Sequence, residues 1–125
     1  NNIVFRSSWE LKLFQQLDIN PNVLEWASEE IAIKYVSPLD NRIHRYFPDV
    51  YVYSINKNGK KTKSLIEVKP AKETRPPEQP KKMTPRFLTE SKTWAVNQAK
   101  WDAAKKFCDK IGWDFRIATE KQLGI

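Results

Sequence analysis

Apolar positions recur at helical spacing in SSWELKLFQQL, where Trp9, Leu13 and Leu17 fall four apart and Leu11 and Phe14 flank them. That period predicts an amphipathic helix, opened by a capping box from Ser7 to Glu10 and closed ahead of Pro21. The pattern then changes to alternation. EEIAIKYV sets Ile31, Ile33 and Tyr35 on one side and predicts a strand, and SPLDNR has turn chemistry. RYFPDVYVYSI predicts a second strand, NKNGKK a hairpin turn, and KSLIEVKP a third strand stopped by Pro70. From Ala71 to about Thr89 the chain holds Pro76, Pro77, Pro80 and Pro85 without any period, which predicts a long loop, functional or disordered. Helical spacing returns through Val96, Ala99, Ala103, Phe107 and Ile111, Gly112 stops it, and WDFRIAT predicts a closing strand.

This order predicts an α/β fold: a three-stranded meander, a crossover helix and a further strand in one mixed sheet, with helices packed on it. The chain shows no internal repeat. Its 125 residues are expected to form a single domain, spanning 1–125, with a large enough core to fold alone.

Strand faces raise a question of register. In the third strand Leu65, Glu67 and Lys69 share one side and Ile66 and Val68 the other. Pairing Val50 with Ile66 and Val52 with Ser64 matches the apolar sides and brings Asp49 opposite Glu67. A two-residue Asn58-Gly59 turn would slip this by one and place the Asp49 carboxylate opposite Val68, among core residues. Burial of an unpaired charge costs more than a turn preference returns. A loop of three or five residues is therefore expected, with Asp49, Glu67 and Lys69 converging.

Two carboxylates side by side repel unless a cation lies between them. Oxygen donors suit a hard ion, Mg²⁺ or Mn²⁺, so Asp49 and Glu67 are candidate ligands and Lys69 a candidate to position or deprotonate an attacking water. Glu29 is a further candidate ligand or helper, although acids just before a strand are commonly solvated.

Charge adds a partner. The formal net charge is +7 with a pI near 9.5, which favours polyanions, nucleic acid above all. Lys72, Arg75, Lys81, Lys82 and Arg86 crowd the Pro-rich segment, and Arg42, His44, Arg45 and Tyr46 lead into the Pro-Asp strand, so both groups are candidate contacts to a DNA backbone. A surface turn residue is the simpler reading of His44. One Cys and one His provide neither an internal disulfide nor a zinc site. No run approaches membrane-spanning length and residues 1 to 20 lack an apolar signal core, so a soluble intracellular protein is expected.

Pro48-Asp49 followed by Glu67-Val68-Lys69 on the next strand resembles the PD-(D/E)xK nuclease signature. FRSSWE, RYFPDV, EVKP and the helix-strand ending resemble TnsA-like endonuclease domains, and nearly the whole chain looks closer still to the head-completion nucleases of T4-like phages. The resemblance implies a restriction-endonuclease-like core and metal-dependent hydrolysis of double-stranded DNA with little sequence preference. It implies a third metal-site acid at Glu10 and a helper on the late helix, for which Gln98 and Lys100 are candidates. It also implies DNA processing during virion assembly in the host cytoplasm, with phage head or portal proteins as partners. TnsA-type enzymes can carry Gln where this chain has Glu67, so the match is better to the general nuclease pattern. Two alternatives follow from the same residues: a non-catalytic, DNA-binding structural protein, and a repair or recombination nuclease acting on branched DNA.

Overall fold

A computed structural model of the chain describes residues 8–124. Its first helix, α1, spans Ser8–Ile19 and buries Leu13, Phe14 and Leu17, the stripe its period predicts. Ser7, the proposed start of the capping box, lies outside the described residues. Two short strands, β2 (Ile33–Val36) and β3 (Ile43–Tyr46), pair as a separate antiparallel ribbon. The main sheet contains β1 (Val23–Ser28), β4 (Val50–Ile55), β5 (Lys61–Val68) and β6 (Asp114–Ala118), in the order β1-β4-β5-β6. β4 runs antiparallel to both β1 and β5, and β6 runs parallel to β5. A 3₁₀ turn (Ala71–Thr74) and the long helix α2 (Pro85–Ile111) make the crossover between them, and α3 (Glu120–Leu123) closes the described chain.

The mixed sheet with a crossover helix is as expected, but the membership of its first strand is not. EEIAIKYV supplies β2 of the separate ribbon, while β1, from NVLEWAS, is the third antiparallel member. A register shift between Val23 and Glu25 breaks β1's inward-outward alternation, which removes the period that marks a strand. RYFPDVYVYSI is likewise two strands. Pro48 has no N–H to give a ladder, so β3 ends before it and β4 begins after Asp49.

The expected loop from 71 to 89 is shorter. Thr84 Oγ1 accepts the Phe87 N–H at 3.1 Å, and Pro85 takes the first helical position, where its missing donor costs nothing. Proline here starts the helix instead of breaking it. At the other end Gly112, with φ 77°, caps α2 in the left-handed conformation.

The sheet is apolar on both faces. Val50, Val52, Ile66 and Ala118 pack with Leu13, Phe14 and Leu17 of α1 and with Leu123. On the opposite face Leu65, with Tyr51, Phe115 and Ile117, meets Trp101, Ala104 and Cys108 of α2. Ile33, Tyr35 and Tyr46 join this second cluster, which seats the ribbon on α2. Cys108 is a buried core residue. Trp101 is likewise buried in the core, edge-on to Trp94. No helix among the described residues is long and apolar enough to cross a membrane.

Candidate active site

The β4–β5 hairpin decides whether the acids meet. Ile55 pairs with Lys61, and Asn56 N–H donates to the Lys60 carbonyl at 2.8 Å, leaving Lys57, Asn58 and Gly59 as the loop. Gly59 has φ 76°, the left-handed residue of a three-residue hairpin. Asn56 Oδ1 accepts N–H bonds from Asn58 and Lys60, both at 2.9 Å, and fixes this odd length. Val50 therefore faces Ile66 and Val52 faces Ser64. One step further, Asp49 comes level with Glu67 where the two strands end, and its Oδ2 accepts the Val68 N–H at 2.7 Å.

A cleft of about 660 Å³ opens at this sheet end. Asp49 and Glu67 line it, with Lys69 just beyond β5, Glu10 from α1, Glu29 after β1, Arg45 and Tyr46 from β3, and Lys100 from α2. Glu10, Asp49 and Glu67 are 7%, 6% and 7% exposed, an unusual depth for three acids lining one cleft. Glu29 is exposed and in the left-handed region at φ 53°, and its N–H donates to the Asp49 carbonyl at 3.2 Å. Lys69 Nζ stands 3.9 Å from Glu67 Oε2, while Glu67 Oε1 is buried without a hydrogen-bond partner.

Burial raises the Glu67 pKa, opposed by the Tyr46 hydroxyl and then by Lys69, Asp49 and Lys100. Burial and the nearby Glu67 carboxylate raise the Tyr46 pKa strongly, so its phenol remains a donor facing that carboxylate. The Lys100 ammonium lies 5.6 Å from the Tyr46 ring centre. The arrangement concentrates negative charge where little water reaches it, beside two ammonium groups. An orphaned, buried carboxylate oxygen amid further oxygen donors fits a hard divalent cation. Among the described residues, no group of three or more His, Cys, Asp or Glu is drawn together as a finished metal cage.

A stability prediction arises here. The folded-state pKa of Glu67 is raised, so its proton-bound form is the one folding favours, and stability falls as pH rises through that value. Glu67→Gln carries no charge at any pH. Without divalent ions it is expected to melt above the wild type at neutral pH, with the gap closing on acidification. Mg²⁺ or Mn²⁺ should raise the wild-type melting temperature and leave Glu67→Gln nearly unmoved. Thermal melts over pH, with and without the ion, measure both, and a wild type insensitive to the ion would count against Glu67 as a ligand.

Other candidate residues fall in different places. Gln98 is exposed and outside the cleft lining, whereas Lys100, two residues on, enters it. Tyr46 does not reach a DNA backbone: it is 4% exposed and faces Glu67. Arg45 lies at the cleft mouth, 5.8 Å from the centre of the Phe47 ring. Arg42 is exposed at the ribbon's turn, and His44 Nε2 is engaged by Asp40 at 2.8 Å. Lys72, Arg75 and Arg86 line a second groove, of about 590 Å³, with Trp94 and Asn97. Arg86 is bonded there to Glu90 at 2.9 Å, while Lys81 and Lys82 are exposed on the connecting segment.

Comparison with known proteins finds one family and a relative. The family described as TnsA-like endonuclease N terminal matches residues 20–120. The head completion nuclease of Enterobacteria phage T4 is 40% identical over 125 residues, taking in 97% of this chain and 81% of that protein. No solved structure matches.

Proposed function

The chain belongs to the TnsA-like endonuclease N-terminal family, and from that premise we propose that it is a divalent-metal-dependent nuclease that cuts double-stranded DNA during completion of a phage head. The observation that carries this reading is the cleft where Asp49 and Glu67 lie side by side, Glu67 Oε1 lacks a partner, and Lys69 Nζ stands 3.9 Å from Glu67 Oε2. Asp49 and Glu67 would hold the ion, with Glu10 as third acid and Glu29 as a flanking one. The chemistry that Mg²⁺ or Mn²⁺ supplies here is Lewis-acid stabilisation of charge on the scissile phosphate and acidification of nearby water.

The protein's own groups do the rest. Lys69 Nζ orients the attacking water and offsets charge building on the phosphate oxygens. The Tyr46 hydroxyl faces Glu67 and opposes the upward push of burial on its carboxyl. Lys100 adds positive charge from the α2 side, a helper role that Gln98 cannot fill from its exposed position. Lys72, Arg75, Lys81, Lys82 and Arg86, with Arg45 at the cleft mouth and Arg42 at the ribbon turn, bind phosphates without reading sequence, which makes affinity fall with salt. His44 contributes by holding the ribbon turn through Asp40. The described fold acts as one nuclease domain, with head or portal proteins as its assembly partners in the infected cell.

Purified protein with Mg²⁺ or Mn²⁺ is expected to nick supercoiled plasmid and to stop when the ion is chelated. Protein that binds DNA but never nicks it under any divalent ion would sink this reading in favour of a structural DNA-binding role.

A further inference from the structure

The β2–β3 ribbon packs one side on α2 and keeps a second side that the core does not use. Its cross-strand pairs are Ile33–Tyr46, Lys34–Arg45, Tyr35–His44 and Val36–Ile43. Ile33, Tyr35 and Tyr46 turn inward and are buried, so Lys34, Val36, Ile43 and Arg45 turn outward. Val36, Leu39 and Ile43 are 55%, 57% and 70% exposed, three aliphatic side chains at the far end of one short ribbon. Scattered exposed hydrophobes need no explanation, but a cluster at one end of a ribbon does.

The turn that carries them is pinned. Ser37 N–H donates to the Arg42 carbonyl and Asn41 N–H to the Ser37 carbonyl, both at 2.9 Å. Asp40 Oδ1 accepts the Arg42 N–H at 2.9 Å, and the same carboxylate engages His44. Asp40 is the one acid between Ile33 and Tyr46, against Lys34, Arg42 and Arg45. The apolar tip is thus framed by cations. Arg45, near the end of β3, and Phe47, just past it, line the cleft, and Arg45 shares the outward side of β3 with Ile43 of the tip.

We propose that this ribbon is a DNA wedge: Leu39 and Ile43 enter an opened base step beside the scissile position while Lys34, Arg42 and Arg45 hold the flanking phosphates. The inference rests on the nuclease reading of the cleft and adds a substrate class to it. An aliphatic side chain enters a stack at the cost of unstacking, and that cost is least where the duplex is already interrupted. The favoured substrate is therefore duplex DNA containing a nick, gap or mismatch.

The test uses the full chain in a non-cleaving buffer and two duplexes of equal length, one intact and one nicked, with 2-aminopurine opposite the nick. Wild-type protein is expected to raise 2-aminopurine fluorescence and to bind the nicked duplex about tenfold more tightly, the effect of burying roughly one aliphatic side chain. Leu39→Ser/Ile43→Ser should lose the fluorescence rise and the preference while keeping the slope of affinity against salt. Leu39→Met/Ile43→Val should keep both. A wild type with no fluorescence rise, or a serine variant that matches it, overturns the wedge and leaves the tip as a protein-facing surface. Plasmid nicking separates the two claims, since nicking without a fluorescence rise rejects the wedge alone. A rise without nicking rejects the nuclease alone.

Discussion

Lys69→Ala is expected to slow plasmid nicking by roughly 10²–10⁴-fold, the range for loss of a positioned proton-transfer or charge-stabilising group. Binding to the same DNA should change little, because backbone affinity is spread over Lys72, Arg75, Lys81, Lys82, Arg86 and the ribbon arginines. The separation follows from position. Lys69 lies at the end of β5, 28% exposed at its side chain, with Nζ 3.9 Å from the buried Glu67 carboxylate, so it acts at one point of the cleft. Lys69→Arg should not rescue the rate, since a planar fork cannot occupy the place of a compact ammonium. Nicking assays paired with binding isotherms decide the matter. Nicking that survives in Lys69→Ala removes Lys69 from the mechanism, and a parallel collapse of binding reduces it to one more phosphate contact.

The meeting of Asp49 with Glu67 was legible in the sequence because it rests on alternation. Val50, Val52 and Ile66 share a buried face only in registers that leave an odd hairpin loop, and the three-residue loop selects the one that brings Asp49 level with Glu67. Asn56 and Gly59 supply the loop by local chemistry, so turn and core agree. Elsewhere the signals conflicted. Prolines from Pro76 to Pro85 read as a break throughout, although Pro85 sits where a helix accepts proline. β1 was hidden by its bulge, and β2 was assigned to the wrong sheet because alternation names a strand but not its partner.

Tyr46 and Lys100 were harder to place for a different reason. Each reaches Glu67 only once β3 and α2 have packed, and nothing in their local spacing encodes that approach. A buried carboxylate calls for donors around it. That rule says such residues must exist, and the tertiary packing says which. Glu10 shows the reverse case: it lies in the first turn of α1 but is buried at the cleft, a placement that capping alone does not require.

Asp49 joins an observed strand tie to the metal-holding role proposed for it, and two substitutions should separate them. Its Oδ2 accepts the Val68 N–H at 2.7 Å, tying the start of β4 to the end of β5 in a site where Asp49 is 6% exposed. Asp49→Ala leaves that N–H without an acceptor, which is expected to cost about 1–3 kcal/mol of folding stability. Asp49→Asn keeps an acceptor oxygen of the same shape and should unfold close to the wild type in urea. Both changes remove the charge that would hold the divalent ion, and both should lower nicking by roughly 10²–10⁴-fold, matching a loss of several kcal/mol of charge stabilisation. Mn²⁺ titration should show weaker binding in both. If Asp49→Asn nicks normally, Asp49 is a strand tie and not a ligand. If Asp49→Ala is as stable as Asp49→Asn, the Val68 bond is dispensable and the closeness of the two strand ends must come from the Val50–Ile66 pair below it.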